Sequence, residues 1–160
     1  MSIWFTLLIQ FSILGFAILA GVFLAFSDFI MRSLALTSGT GGIEAMQVIN
    51  REVFRWIFMA LFLGLVPVSL ILVGFGLTSL DGTARTMIVL AGVVYLIGSF
   101  GVTIRFNVPM NEMLAGMETG RDITKMYWSD VYLPRWVFWN SVRTAACAAC
   151  AILLMIGTLS

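Results

Sequence analysis

The chain has 160 residues, 61% of them hydrophobic and 11% charged, with a mean hydropathy of +1.04. A soluble domain is nearer half apolar and a quarter charged, so composition excludes an ordinary water-soluble globule and names lipid as the solvent. Nine basic against eight acidic side chains, with no basic tract, exclude a nucleic-acid partner; the absence of histidine removes the commonest metal ligand and any Ser–His or Cys–His nucleophile.

A helix needs about 20 apolar residues to cross the roughly 30 Å hydrocarbon core. Met1 to Ser27 carries no charge, and Asp28 and Arg32 close that run. It lacks a basic n-region and exceeds the apolar stretch of a signal peptide, so it is read as a retained helix. Trp56 to Leu80 is the second uncharged run, ended by Asp81; Thr86 to Ile104 is the third, ended by Arg105. The fourth begins near Pro134, contains Asn140 and Arg143, and runs to about Leu159. The expected fold is all-α: a single four-transmembrane-helix bundle over residues 1–160, with helices at about 3–31, 56–80, 86–106 and 134–159.

Both long connections, residues 28–55 and 105–135, fall on one side. Ile43, Met46, Ile49, Val53 and Trp56 recur every three or four residues, which predicts a short amphipathic helix feeding the second span. Pro109 suits the first turn of another short helix running through Met117, with Gly120 as its stop. The other side has the termini and the turn Asp81–Arg85. Ala17, Gly21 and Ala25, with the alanines of helix four, are the expected packing positions, and Pro67 with Gly64 predicts a bend in helix two. Arg32, Arg51, Arg55, Arg105, Arg121, Lys125 and Arg135 lie on the loop-rich side and Arg85 alone on the other. The rule that basic loops stay inside places the long loops in the cytoplasm and both termini in the periplasm of a bacterial inner membrane.

Helix four carries the polar signal. At about 100° per residue, Tyr132, Trp136, Trp139, Arg143, Cys147 and Cys150 share one arc, with Asn140 at its edge. Arg143 lies roughly 14 Å past Pro134 along the axis, near the bilayer centre. An unpaired arginine there costs about 2.5–3.5 kcal/mol on insertion scales. Side chains lean toward a helix N-terminus, so Arg143 leans toward the loop-rich interface and Asp28, at the end of helix one, leans back into the bilayer. The two are expected to converge, with Asn107, Asn111 and Asn140 filling the same layer. The alternatives are a structural polar clamp, a pocket for a flat or anionic small molecule, or a snorkelling arginine with Trp56, Trp128 and Trp136 in an interfacial belt. Cys147 and Cys150 have the spacing of a redox or metal pair but no further cysteine to work with, so they read as small packing residues. Glu112 and Glu118 read as a solvated helix face.

Four stretches carry a family pattern: Gly21 to Met31; Ala45 to Arg51; Phe106-Asn107-Val108-Pro109-Met110-Asn111 with Leu114 after it; and Tyr132 to Thr144, which includes Trp136, Trp139, Asn140 and Arg143. Together they resemble the anthrone oxygenase-like family of small bacterial membrane proteins. The resemblance implies a cavity for a planar aromatic or quinone-like molecule, oxidised by molecular oxygen with no metal, flavin or other cofactor. Its motif residues here are Asn50, Arg51, Asn107, Asn111, Trp136, Trp139, Asn140 and Arg143. Family members often have histidine where this chain has Ser141, which leaves Asp28 as the candidate acid or base beside Arg143. The expected partners are the lipid bilayer and a hydrophobic small molecule. The rival reading is a non-enzymatic subunit of a larger membrane complex, which predicts exposed small-residue faces and a filled interior. No internal repeat points to a transporter.

Overall fold

The computed structural model describes residues 2–55 and 57–159. It contains five helices and, among the described residues, no strand. They are α1 (Ile3–Ala35), α2 (Gly41–Glu52), α3 (Ile57–Ser79), α4 (Gly82–Ala115) and α5 (Asp122–Leu159). All but α2 are long and apolar enough to span a membrane, so the protein is a multi-pass membrane protein. Trp56, expected to open the second span, lies outside the described residues.

The four spans are found, with different ends. The turn expected at Asp81–Arg85 shrinks to Leu80 and Asp81, because Gly82 at φ +61° supplies the left-handed residue that starts α4 at once. The short helix at Pro109 is no separate element: α4 runs through Asn107 into it without a break and stops at Ala115, so Gly116, not Gly120, follows its end. Pro109 directly follows a wide, π-helical turn over Thr103–Asn107 that closes with Val108 N–H donating to the Thr103 carbonyl. Likewise α5 starts at Asp122, well before Pro134. Glu118 therefore sits in a turn rather than on a helix face. Pro67 lies inside α3 without interrupting it.

Two cores result. In the lipid-level core, Ile9, Phe16, Leu19 and Phe23 of α1 meet Leu72 of α3, Ile88 and Tyr95 of α4 and Cys147, Cys150 and Leu154 of α5. Close approach falls at glycines, among them Gly76 of α3, where a Cβ would stand 2.7 Å from Val89 Cγ2. A Cβ on Gly92 would stand 2.6 Å from the Ser69 carbonyl oxygen, one on Gly98 2.9 Å from Ala146 Cβ, and one on Gly157 3.0 Å from Ile88. The stripe Ala17–Gly21–Ala25 does not serve this purpose. Ala17 and Gly21 are exposed, and nothing lies within 4 Å of a Cβ built on Gly21. The small residue of α1 that does face a neighbour is the buried Gly15, where a Cβ would stand 3.2 Å from Leu61 Cδ1.

The second core caps the first on the loop-rich side. Ile43 and Met46 of α2 pack against Met31, Leu114, Trp128 and Tyr132. A Cβ on Gly42 would stand 2.1 Å from the Leu34 carbonyl oxygen, so only glycine lets α2 fold back on α1. Gln47 Nε2 then donates to the carbonyls of Leu114 (2.8 Å) and Met117 (3.0 Å), satisfying the otherwise open end of α4. The amphipathic helix read from the sequence is thus present, but its apolar face covers protein rather than lipid. Trp128 is part of this core, stacked on Tyr132 at 5.3 Å, and not of an interfacial belt.

Candidate functional site

Between these two cores the helices leave a cavity of about 740 Å³, bounded by residues of all five. That is within the roughly 300–1,000 Å³ common for small-molecule sites. Its walls are Phe23 and Phe26 of α1, Met46 and Ile49 of α2, Phe58, Met59 and Phe62 of α3, and Trp136 of α5. Its polar lining is Asn50, Thr103, Asn107, Asn111, Asn140 and Arg143. The exposed residues Arg51, Glu52, Phe54 and Glu112 form its mouth.

Three of the four π-helical turns occur at this level. They cover Phe26–Ile30 in α1, Thr103–Asn107 in α4 and Tyr127–Tyr132 in α5. Such wide turns re-aim side chains and offer backbone groups that a regular helix would use internally. The carbonyl of Phe23, just before the turn in α1, accepts from Asn140 Nδ2 at 2.6 Å. Asn140 Nδ2 also reaches Ser27 Oγ at 2.6 Å, and its Oδ1 accepts from the Arg143 guanidinium at 2.6 Å. Fully buried, Asn140 therefore ties α1 to α5 and holds the arginine at once.

Arg143 leans toward the loop-rich side, as its position on α5 requires. It donates to Asn140 one turn back and to Thr103 Oγ1 at 3.2 Å. Its Cζ lies 4.3 Å from the Phe23 ring centre and 5.5 Å from that of Trp136. Such ring contacts contribute roughly 0.5–2 kcal/mol. The residue is 6% exposed, and Nε has no partner among the described residues.

A second network fixes the wall. Asn111 Oδ1 accepts from both Tyr132 Oη and Trp136 Nε1, each at 2.8 Å, and Asn50 Nδ2 donates to Tyr132 Oη at 3.3 Å. The Trp136 ring is held from both ends by this bond and by the Arg143 cation. Asn107 Nδ2 donates to the Trp136 carbonyl at 3.4 Å, leaving Asn107 Oδ1 buried and unpartnered. Of the three such atoms among the described residues, Arg143 Nε and Asn107 Oδ1 belong to residues that line the cavity, and Ser69 Oγ of α3 does not.

Of the sequence candidates, Asn50, Arg51, Asn107, Asn111, Trp136, Asn140 and Arg143 are brought together around one space. Asp28 and Trp139 are not. Asp28 is exposed, borders no part of the cavity and makes no ion pair with Arg143. Asp28 follows Phe23 by five residues, about 140° around the helix, so it faces away. Trp139 stacks on Phe106 at 3.6 Å outside the cavity, about 60° round α5 from Trp136. Ser141 is also outside; its Oγ bonds Ser27 Oγ at 3.0 Å and the Val137 carbonyl at 2.9 Å. Phe23, Ser27, Phe58, Phe62 and Thr103 were not singled out, because each sits in an uncharged run where nothing distinguishes it from lipid-facing neighbours. Cys147 and Cys150 are free and buried, bonded to Ser99 Oγ (3.3 Å) and the Ala91 carbonyl (3.2 Å), as packing residues should be. No cluster of metal-ligating side chains occurs among the described residues.

A family model for anthrone oxygenase matches residues 51–153. The chain belongs to the anthrone oxygenase family. No curated protein and no solved structure matches it. The match covers the second to fourth spans of this anthrone oxygenase family member and so includes Arg51, Asn107, Asn111, Trp136, Asn140 and Arg143. Phe23, Phe26, Met46 and Asn50 complete the cavity from outside the matched region.

Proposed function

We propose that this anthrone oxygenase family member binds a planar, hydrophobic aromatic or quinone-like molecule in the cavity above Arg143. The observation that carries this reading is an aromatic-walled space whose polar lining is a set of amides and one guanidinium. Arg143 and the amides of Asn50, Asn111 and Asn140 would meet the oxygens of the ligand. Phe23, Phe58 and Trp136 would flank the rings.

If the bound molecule is an anthrone, the reaction is removal of a proton from the activated ring carbon, electron transfer to molecular oxygen, and carbon–oxygen bond formation at that carbon. The resulting hydroperoxide loses water to leave the second ketone, so one oxygen molecule gives one quinone and one water. Arg143 would stabilise the enolate oxygen. Glu52 is held by Arg55 at 2.9 Å, which leaves Glu112 as the carboxylate on the cavity free to take the proton. The test is to supply an anthrone and oxygen to the purified protein and follow quinone absorbance. Formation well above the uncatalysed rate, lost in Arg143→Gln, supports the reading; a rate equal to background removes the oxygenase assignment.

A second reading, a non-enzymatic subunit of a larger membrane complex, draws on the open Ala17–Gly21 stripe of α1, which is shaped for a neighbouring helix. Its test is whether the protein leaves a mild-detergent extract alone or with a fixed companion. For either reading, seven basic residues on the loop-rich side against Arg85 opposite favour cytoplasmic long loops in a bacterial inner membrane.

A further inference from the structure

We infer that the occupant of this cavity is bound as an anion: a planar aromatic acid, phenolate or enolate that brings its own negative oxygen to Arg143. The inference rests on the cavity being a ligand site and says what charge that ligand carries.

Arg143 keeps its charge at lipid depth with neutral partners alone. Its bonds go to Asn140 Oδ1 and Thr103 Oγ1, and the rings of Phe23 and Trp136 cover its faces. Amide, hydroxyl and ring dipoles solvate a cation; they do not neutralise it. A buried guanidinium is ordinarily matched by a carboxylate, because an uncompensated charge at low dielectric is costly. Here no such match exists. All eight acidic residues of the chain are exposed, and the two ion pairs among the described residues are exposed short-range pairs, Arg55–Glu52 and Lys125–Asp122.

A carboxylate paired to the guanidinium would settle the charge but would also repel an anionic ligand there; the two carboxylates of the cavity, Glu52 and Glu112, stand at its exposed mouth instead. The neutral network does the opposite: it fixes the guanidinium in place and leaves its charge unspent. An uncharged quinone would leave the charge of the guanidinium unmatched. An anion matches it. The aromatic walls select a flat ring system over an acyl chain, since Phe23, Phe58, Phe62 and Trp136 converge on the same space.

The test uses full-length wild-type protein in nanodiscs of zwitterionic lipid and three probes: naphthoate, its neutral isostere naphthamide, and decanoate, an acid without rings. Binding is measured by calorimetry. We expect naphthoate to bind about ten- to hundred-fold more tightly than naphthamide, the range of a charge-assisted bond. It should also bind more tightly than decanoate, and in Arg143→Gln the preference for naphthoate over naphthamide should fall to about one. Equal binding of the two naphthyl probes overturns the charge inference while leaving the cavity reading in place. Decanoate binding as well as naphthoate overturns the aromatic class and makes the occupant an anionic lipid. Failure of both naphthyl probes removes the cavity reading as well. Should Arg143→Gln not fold, the wild-type comparison alone decides.

Discussion

Replacing Arg143 by methionine separates a ligand site from a structural clamp. Methionine replaces the apolar stem of arginine and carries no charge. The substitution removes an ionised group from lipid depth, worth about 2.5–3.5 kcal/mol on insertion scales. Against this, Asn140 Oδ1 loses its 2.6 Å donor, and the Phe23 ring loses a cation 4.3 Å away. An acceptor left short costs about 1–3 kcal/mol and the ring contact about 0.5–2 kcal/mol. The opposing contributions nearly cancel, so stability should change by no more than about 1 kcal/mol in either direction. Naphthoate binding should nonetheless fall about ten- to hundred-fold. Reversible unfolding in mixed detergent micelles measures the first quantity and calorimetry the second. A stability loss of about 3 kcal/mol or more, the scale for breaking an essential buried polar contact, would refute the reasoning and make Arg143 a clamp.

Asn140→Ala should behave differently. It strips partners from the Phe23 carbonyl, Ser27 and the arginine together, and should lower unfolding stability by about 2–4 kcal/mol, the bond to a charge contributing most. Gly92→Ala places a methyl 2.6 Å from the Ser69 carbonyl oxygen and should cost about 1–3 kcal/mol in the same assay. Gly64→Ala, with open space around it, should be neutral or gain up to about 1 kcal/mol from helix propensity. Asp28→Asn should leave naphthoate affinity unchanged and stability within about 0.5 kcal/mol, because the carboxylate is exposed and off the cavity.

How much of this was legible in the sequence differs by direction. Position along the membrane normal was readable: long uncharged runs mark the spans, and Arg143 and Asn140 stand out inside one of them. The side-chain lean then gave the correct layer for Asn107, Asn111 and Asn140. Position around each helix was harder. Asp28 faces away from the cavity, and Trp139, about 60° from Trp136, stacks on Phe106 outside it. In α1 the mean hydropathy is so even that Phe23, which faces Arg143, reads like Phe29, which is exposed. Ala17, Gly21 and Ala25 read as a packing stripe because spacing alone cannot tell a helix neighbour from lipid. The π-helical turns have no sequence signature here, yet one follows the Phe23 carbonyl that Asn140 reaches and another carries the side chains from Thr103 to Asn107. The continuity of α4 through Pro109 was hidden for the same reason.

The central claim is that a flat aromatic molecule occupies the space above Arg143, and photolabelling tests it most directly. Irradiation of the protein with benzophenone, followed by mass spectrometry of its peptides, should place adducts on Met46, Phe58 and Met59, which line the cavity. Added naphthoate should suppress them. Adducts confined to lipid-facing residues such as Ile97 and Phe138, and indifferent to naphthoate, would contradict it.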